Sequence, residues 1–372
     1  WIIDGKDPKD QVQLEDAAKK FLKQVEEAIR PIIVYLPIEG LEIKSSKSLQ
    51  LGNCYIHSNR SNSEFMQLMN QDTNRYGRNS LPEWLNDHVK AYATFEVTAH
   101  SKRGMSRGIN ETNQALNILR LYISSYYFHE NGHSIVRRMG LSGTLNHGER
   151  SRIFFVSQAE PLDSQYPGGE ESRTVVRNFE VTDEFIDHMY SHGLTQINNL
   201  LQTVADSSDA SDIARRLHRA VTWYAKATKA KNIADSYLMY AIALEGLLSE
   251  GRTSQETYSL QVAALVSCDN DECVIYPVGG YLSSEFSKKL KKTKNLTDRF
   301  NLIRDRVFQL ISYRNRIAHG AVLENEVDEI ELLDFETLVQ NTILAFVMKE
   351  WRSFKDFTSW FNKNIRYEFR PN

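Results

Sequence analysis

Arg314, Asn315 and His319 lie near the end of one strongly patterned stretch, and their side chains suit the breaking of a phosphodiester. Cutting RNA at its own ribose needs a base to take the proton of the 2′-hydroxyl and an acid to protonate the leaving 5′-oxygen. Imidazole titrates in a range that serves either step. A guanidinium grips a phosphate through paired N–H donors while negative charge builds on it. An amide such as Asn315 orients the ring or the phosphate by hydrogen bonding. None of these steps calls for a metal, so the sequence predicts a metal-free, cofactor-free centre.

Other groupings carry weaker chemistry. His129-Glu130-Asn131-Gly132-His133 matches the pattern in which two His bind zinc and Glu activates water. Asn-Gly is poor helix material, however, and no third ligand follows. This stretch reads as the end of a preceding helix, with a zinc metalloprotease as the lesser alternative. His188 and His192 are also four apart, but no cysteine or acid signature accompanies them. Cys268 and Cys273 enclose an acidic loop and have no partner pair. Phosphate-binding Gly loops, nucleophile elbows and kinase signatures are absent from the sequence.

The elements that must position the cluster follow from periodicity. Within Asn295 to Gly320, Phe300, Ile303, Val307 and Leu310 form a 3,4-spaced stripe that should face a core. Continued, the stripe lands on Arg314 and Ile317. A long cation in line with buried positions needs a partner or a cleft. Helical geometry places Asn315 about 100° and His319 about 140° around the axis from Arg314, over one side of the last turns. Gly320 suits the helix end.

Upstream, residues 8 to 30 read as a helix closed by Pro31, with Leu14, Ala17, Ala18, Phe21, Leu22, Val25 and Ile29 on its apolar face. Strand-like runs follow at 32 to 36, 49 to 57, 91 to 99 and 153 to 157, with a helical pattern at 109 to 127. Residues 160 to 172, rich in Pro, Gly and Glu, read as a linker. Beyond it, helical patterns occupy about 183 to 206, 210 to 229, 231 to 249, 256 to 267, 284 to 292, 295 to 319 and 328 to 362. The expected organisation is an α+β region over 1–175, followed by an all-α bundle over 176–372.

Composition sets outer bounds. The chain has 372 residues, 41% hydrophobic and 25% charged, and a formal net charge of -3, enough for two globular domains and ill-suited to a broad basic nucleic-acid surface. A small local nucleic-acid site remains compatible with it. Three cysteines suit a reducing, cytoplasmic setting. With no long apolar run and no basic, apolar leader after Trp1, neither a membrane span nor a signal peptide is expected.

At this point a family resemblance enters. The stretch from Ala214 to Gly251, ARRLHRAVTWYAKATKAKNIADSYLMYAIALEGLLSEG, followed by the YRNRIAHG of 313 to 320, resembles the HEPN superfamily. Within it the chain is most similar to ApeA-like HEPN proteins of prokaryotes, over about half of its length. The resemblance implies a helical bundle that forms a homodimer, with the Arg-x4-His motifs of both subunits facing one cleft. It also implies metal-independent endoribonuclease activity and a role in antiviral defence or toxin systems. On this footing Arg314, Asn315 and His319 are the catalytic residues, with Glu245 and Tyr313 as supporting candidates. RNA is the substrate, and the amino-terminal region is a sensor or regulatory domain for a trigger or regulatory partner. A catalytically silent HEPN module, serving dimerisation or RNA binding, is the main alternative.

Overall fold

A computed structural model describes residues 15–24, 29–45, 47, 49–58, 90–99, 101–126, 139–141, 154–157, 178–206, 210–230, 232–249, 251, 253–267, 284–293, 295–322 and 326–367. The linker at 160 to 172, the His129 to His133 motif and both Cys268 and Cys273 lie outside these residues. Among the described residues the chain is mostly helical, with a small, largely antiparallel sheet.

The sheet is built around β1 (Arg30–Glu39), which pairs antiparallel with β5 (Ala91–Ala99) in the register Ile32↔Val97, Val34↔Phe95, Leu36↔Ala93. Pro31 therefore does not close a helix at residue 30. It sits second in a strand opposite Thr98, a strand-start position that tolerates the missing N–H. The helical residues 15–24 are exposed throughout, including Phe21 and Leu22, so the part of the expected apolar stripe that lies among the described residues packs against none of them closely enough to be buried. The expected strand at 49 to 57 is a hairpin, β3 (Leu49–Leu51) and β4 (Cys54–Ser58), joined by the two-residue turn Gly52-Asn53. Gly52, at φ +59°, fills the first central position that such a turn reserves for glycine. β6 (Gly140–Leu141) and β7 (Phe154–Ser157) both pair with β1, and β2 (Leu41–Ile43) with the later β8 (Phe179–Val181).

Helix α1 (Ser101–Tyr126) lies across the sheet. Gly104 and Gly108 are four apart on one face, and both meet β1. A Cβ at Gly104 would collide with Ile32, and one at Gly108 would come 2.9 Å from Val34 Cγ1. The absence of both side chains lets helix and strand approach closely.

The remaining helices are α2 (Asp183–Ser191), α3 (Leu194–Asp206), α4 (Asp212–Lys229), α5 (Ile233–Leu248), α6 (Gln255–Val266), α7 (Ser284–Lys292), α8 (Leu296–Ala318), α9 (Glu329–Met348) and α10 (Phe354–Tyr367). Two long patterns break in two. The run at 183 to 206 is interrupted at Gly193, whose φ of +85° ends α2. The run at 328 to 362 is interrupted before Ser353, whose backbone N–H donates to Asp356 Oδ2 at 3.0 Å and so opens α10. Trp351, Phe354, Phe357 and Trp360 then fold back toward Phe346 as one aromatic group.

Residues on both sides of position 175 share one apolar cluster, from Val34 and Leu119 to Tyr240 and Phe335. Polar side chains stitch the same seam. The Asn198 amide on α3 accepts from Gly52 N at 2.8 Å and donates to Gln50 O at 3.0 Å, offering the hairpin what a neighbouring strand would. Gln202 adds a bond to Gly52 O, Tyr122 bonds His192 O at 3.0 Å, and Gln340 donates to Leu121 O. No helix among the described residues is long and apolar enough to cross a membrane.

Candidate active site

Helix α8 carries the cluster. Asn295 caps its start by accepting from Thr297 N at 2.8 Å and Asp298 N at 3.3 Å. Phe300, Ile303, Val307 and Leu310 are buried as the stripe predicts. His319 is the C-cap, and Gly320 follows at φ +70°. The bonds Gly320 N to Ile317 O (3.0 Å) and Ala321 N to Arg316 O (2.8 Å) close the helix as a Schellman motif. The last turn is therefore held rigidly beneath His319.

Arg306 fastens the middle of α8 to α9 through the fully buried Asp334 carboxylate (Nε to Oδ2, 2.9 Å) and through Glu331. Tyr313 fastens the far end. Its hydroxyl donates to Glu326 O and accepts from Asp328 N, both at 3.2 Å, while its ring stands edge-on to Tyr237. With its hydroxyl engaged on both sides, Tyr313 holds the start of α9 against α8, which is a structural task.

Arg314 continues the buried stripe and finds the partner that position demands. Nη2 donates to Glu245 Oε1 on α5 at 2.9 Å, and Nη1 donates to Asn315 Oδ1 at 3.0 Å. Its Nε is buried and has no hydrogen-bond partner among the described residues. The structure thus brings Arg314, Asn315 and Glu245 together. His319 stands apart from this trio, exposed at the helix end, and its ring makes no hydrogen bond or ion pair among the described residues.

Gln255, at the first turn of α6, was not anticipated from the sequence. Its Nε2 donates to Phe308 O at 2.7 Å and to Ser312 Oγ. A carbonyl can only accept, so the amide nitrogen must face α8 there. That leaves Oε1 to accept from Asn315 Nδ2 at 3.5 Å, and turns Asn315 Oδ1 toward Arg314. The readable signal was the helix start at Ser254, which caps α6 by accepting from Thr257 N.

Among the described residues no group of three or more His, Cys, Asp or Glu is placed to hold a metal ion. His188 and His192 do come together at the end of α2, ring centroids 4.3 Å apart. Burial lowers both rings from the ordinary histidine range, His188 to about 4, where His192 adds to the shift. His192 Nδ1 lies against His188 O, and Ser191 Oγ is 2.9 Å away. Comparison of the chain with models of protein families, with curated proteins and with solved structures finds no match.

Proposed function

We propose that the chain is a metal-independent endoribonuclease of the HEPN type. The observation that carries this reading is the placement, on the last turns of one capped helix, of a part-buried guanidinium and, five residues on, an exposed imidazole. In the reaction a base removes the 2′-hydroxyl proton, O2′ bonds to phosphorus, the P–O5′ bond breaks and an acid protonates O5′. The products are a 2′,3′-cyclic phosphate and a 5′-hydroxyl. Arg314 holds the phosphate as charge accumulates, and His319 transfers protons. One imidazole cannot be acid and base in the same event, so two subunits pool their clusters across a twofold axis in a homodimer.

Glu245 occupies Arg314 in the chain alone, and substrate phosphate takes its place. The biological role is that of an antiviral or toxin effector acting in the cytoplasm, with the amino-terminal region receiving a trigger or regulatory partner. The test is cleavage of an RNA oligonucleotide in excess chelator, alongside a DNA oligonucleotide of the same sequence. The expected result is RNA cut to cyclic-phosphate ends with DNA intact. RNA bound but never cut identifies a silent scaffold instead, a reading that the closed Arg314–Glu245 pair also favours.

A further inference from the structure

Helix α4 carries five Lys and Arg (Arg215, Arg216, Arg219, Lys226 and Lys229) against one carboxylate, Asp212. Arg216 is committed inward, bonded to Asp212 (2.8 Å) and Ser249 O, with its guanidinium 3.7 Å from the Phe354 ring centroid. The other four are exposed, and their side chains make no hydrogen bond or ion pair among the described residues. Arg215, Arg219, Trp223 and Lys226, spaced 4, 4 and 3 apart, fall within about 80° of arc on one face. In a chain whose net charge is -3, this is a local concentration of the opposite sign. Lys229 registers the crowding. Although the residue is exposed, partial desolvation of its ammonium, with Arg120 and Lys226 nearby, pushes it down to about 8.

At Arg219 the face packs against α5, the helix that carries Arg314's partner. Gly246 on α5 leaves room for the Arg219 stem, since a Cβ there would come 2.9 Å from Arg219 Cδ. The preceding residue, Glu245, is Arg314's partner. The half-buried Trp223 adds an aromatic surface, over which Lys226 Nζ rests 4.3 Å from the ring centroid. Cations with an interleaved aromatic are what a single nucleic-acid strand uses, phosphates on the charges and a base on the ring.

We propose that the outer face of α4, through Arg215, Arg219 and Lys226, binds the phosphates of single-stranded RNA beside the bond positioned at Arg314, with Trp223 receiving a base once Lys226 moves to a phosphate. The proposal rests on the ribonuclease reading for its position but not for its binding chemistry. Helix α7 is the natural control. Lys288, Lys289, Lys291 and Lys292 form a second basic group, but Lys289 pairs with Glu285 at 2.7 Å, and among the described residues no ion pair joins these lysines to Glu245.

The experiment measures anisotropy of a labelled single-stranded RNA with the full chain, in the His319→Ala background to keep cutting slow, across a salt series. The variant Arg215→Gln/Arg219→Gln/Lys226→Gln should bind at least tenfold more weakly at low salt. Its log-log salt slope should fall by about 2, at roughly 0.7 per lost contact on a single strand. Lys226→Gln alone should lower the slope by about 0.7, and Lys288→Gln/Lys289→Gln/Lys291→Gln should leave it unchanged. An unchanged slope in the α4 triple variant, loss confined to the α7 variant, or equal competition by polyglutamate of matched charge overturns the proposal, the last in favour of an acidic protein partner. Binding that depends on α4 in a parent chain that cuts no RNA supports the track while removing the nuclease.

Discussion

Arg314 and Glu245, 69 residues apart in sequence, meet at 2.9 Å with side chains 23% and 41% exposed. The guanidinium that would hold a phosphate is already facing an anion, and that anion is exposed enough to leave.

Glu245→Gln should therefore strengthen anion binding. In the His319→Ala background, its Kd for a short RNA should fall about 3- to 10-fold, the effect expected from removing one like charge beside a phosphate, about 1 kcal/mol in a part-exposed site. Titration followed by anisotropy measures it. A Kd that rises would mean that Glu245 serves to hold Arg314 in position.

His319→Ala should lower RNA cleavage by about 10²-fold or more, the usual scale for losing a general acid or base. Arg314→Ala should abolish most activity, and Arg314→Lys should restore little of it, because an ammonium lacks the paired donors of the fork. Asn315→Ala should be milder. Single-turnover cleavage by folded variants measures all four, and parental rates for His319→Ala would remove the site assignment.

Gly320→Ala should cost about 1 kcal/mol. Among the described residues nothing lies within 4 Å of the added methyl, so the cost comes from forcing a side chain into φ +70°. Urea denaturation reads this out, and an unchanged midpoint would mean that the Schellman turn rearranges freely.

Asp334→Ala should cost about 2 to 3 kcal/mol, because the part-buried Arg306 would lose its fully buried partner and keep Glu331 opposite it. If unfolding free energies differ by less than about 1 kcal/mol, the tie between α8 and α9 is not what fixes them.

The His188 ring should make the fold sensitive to acid. In the unfolded chain it takes a proton near 6.5, whereas in the fold, burial and then His192 push it down to about 4. The unfolded state therefore binds the proton first as pH falls. The stability tied to the neutral ring is fully present above about 6.5, declines between there and about 4, and is level below. Allowing for the ring's partial exposure, the loss is on the order of 1 to 2 kcal/mol. Urea midpoints at pH 7.5 and 4.5 should drop less for His188→Gln than for the parent, and equal drops would assign the acid sensitivity elsewhere.

The parts of this architecture set by local pattern were legible. The stripe from Phe300 to Leu310 gave α8 its buried face, and its continuation gave Arg314 an unusual position that called for a partner. The breaks at Gly193 and before Ser353 were not legible in the apolar spacing, which runs on through both: the first is made by the positive φ of Gly193, the second by the Ser353 cap and the aromatic group around Trp351. For Gln255 the helix start at Ser254 was legible but the role was not: its partners Phe308, Ser312 and Asn315 lie 53 to 60 residues away, and no periodicity encodes an amide meeting another helix. For Tyr313, neighbouring the motif in sequence pointed to the site, while its hydroxyl belongs to the start of α9.

The turn at Gly52 and Asn53 also bears on how such a chain can change over generations. The Asn198 amide reads the backbone of that turn, its N–H and a carbonyl two residues earlier, not any side chain. This contact therefore tolerates side-chain change at Gln50 and Asn53, while Gly52 and the buried Leu49, Leu51, Cys54 and Ile56 stay fixed by the turn and the core, and a single inserted residue would put the hairpin out of step with α3. The amino-terminal sheet and the helices behind it are bound to descend as a pair, and a recombination that put a different sheet in front of these helices would have to bring a turn of the same length with it.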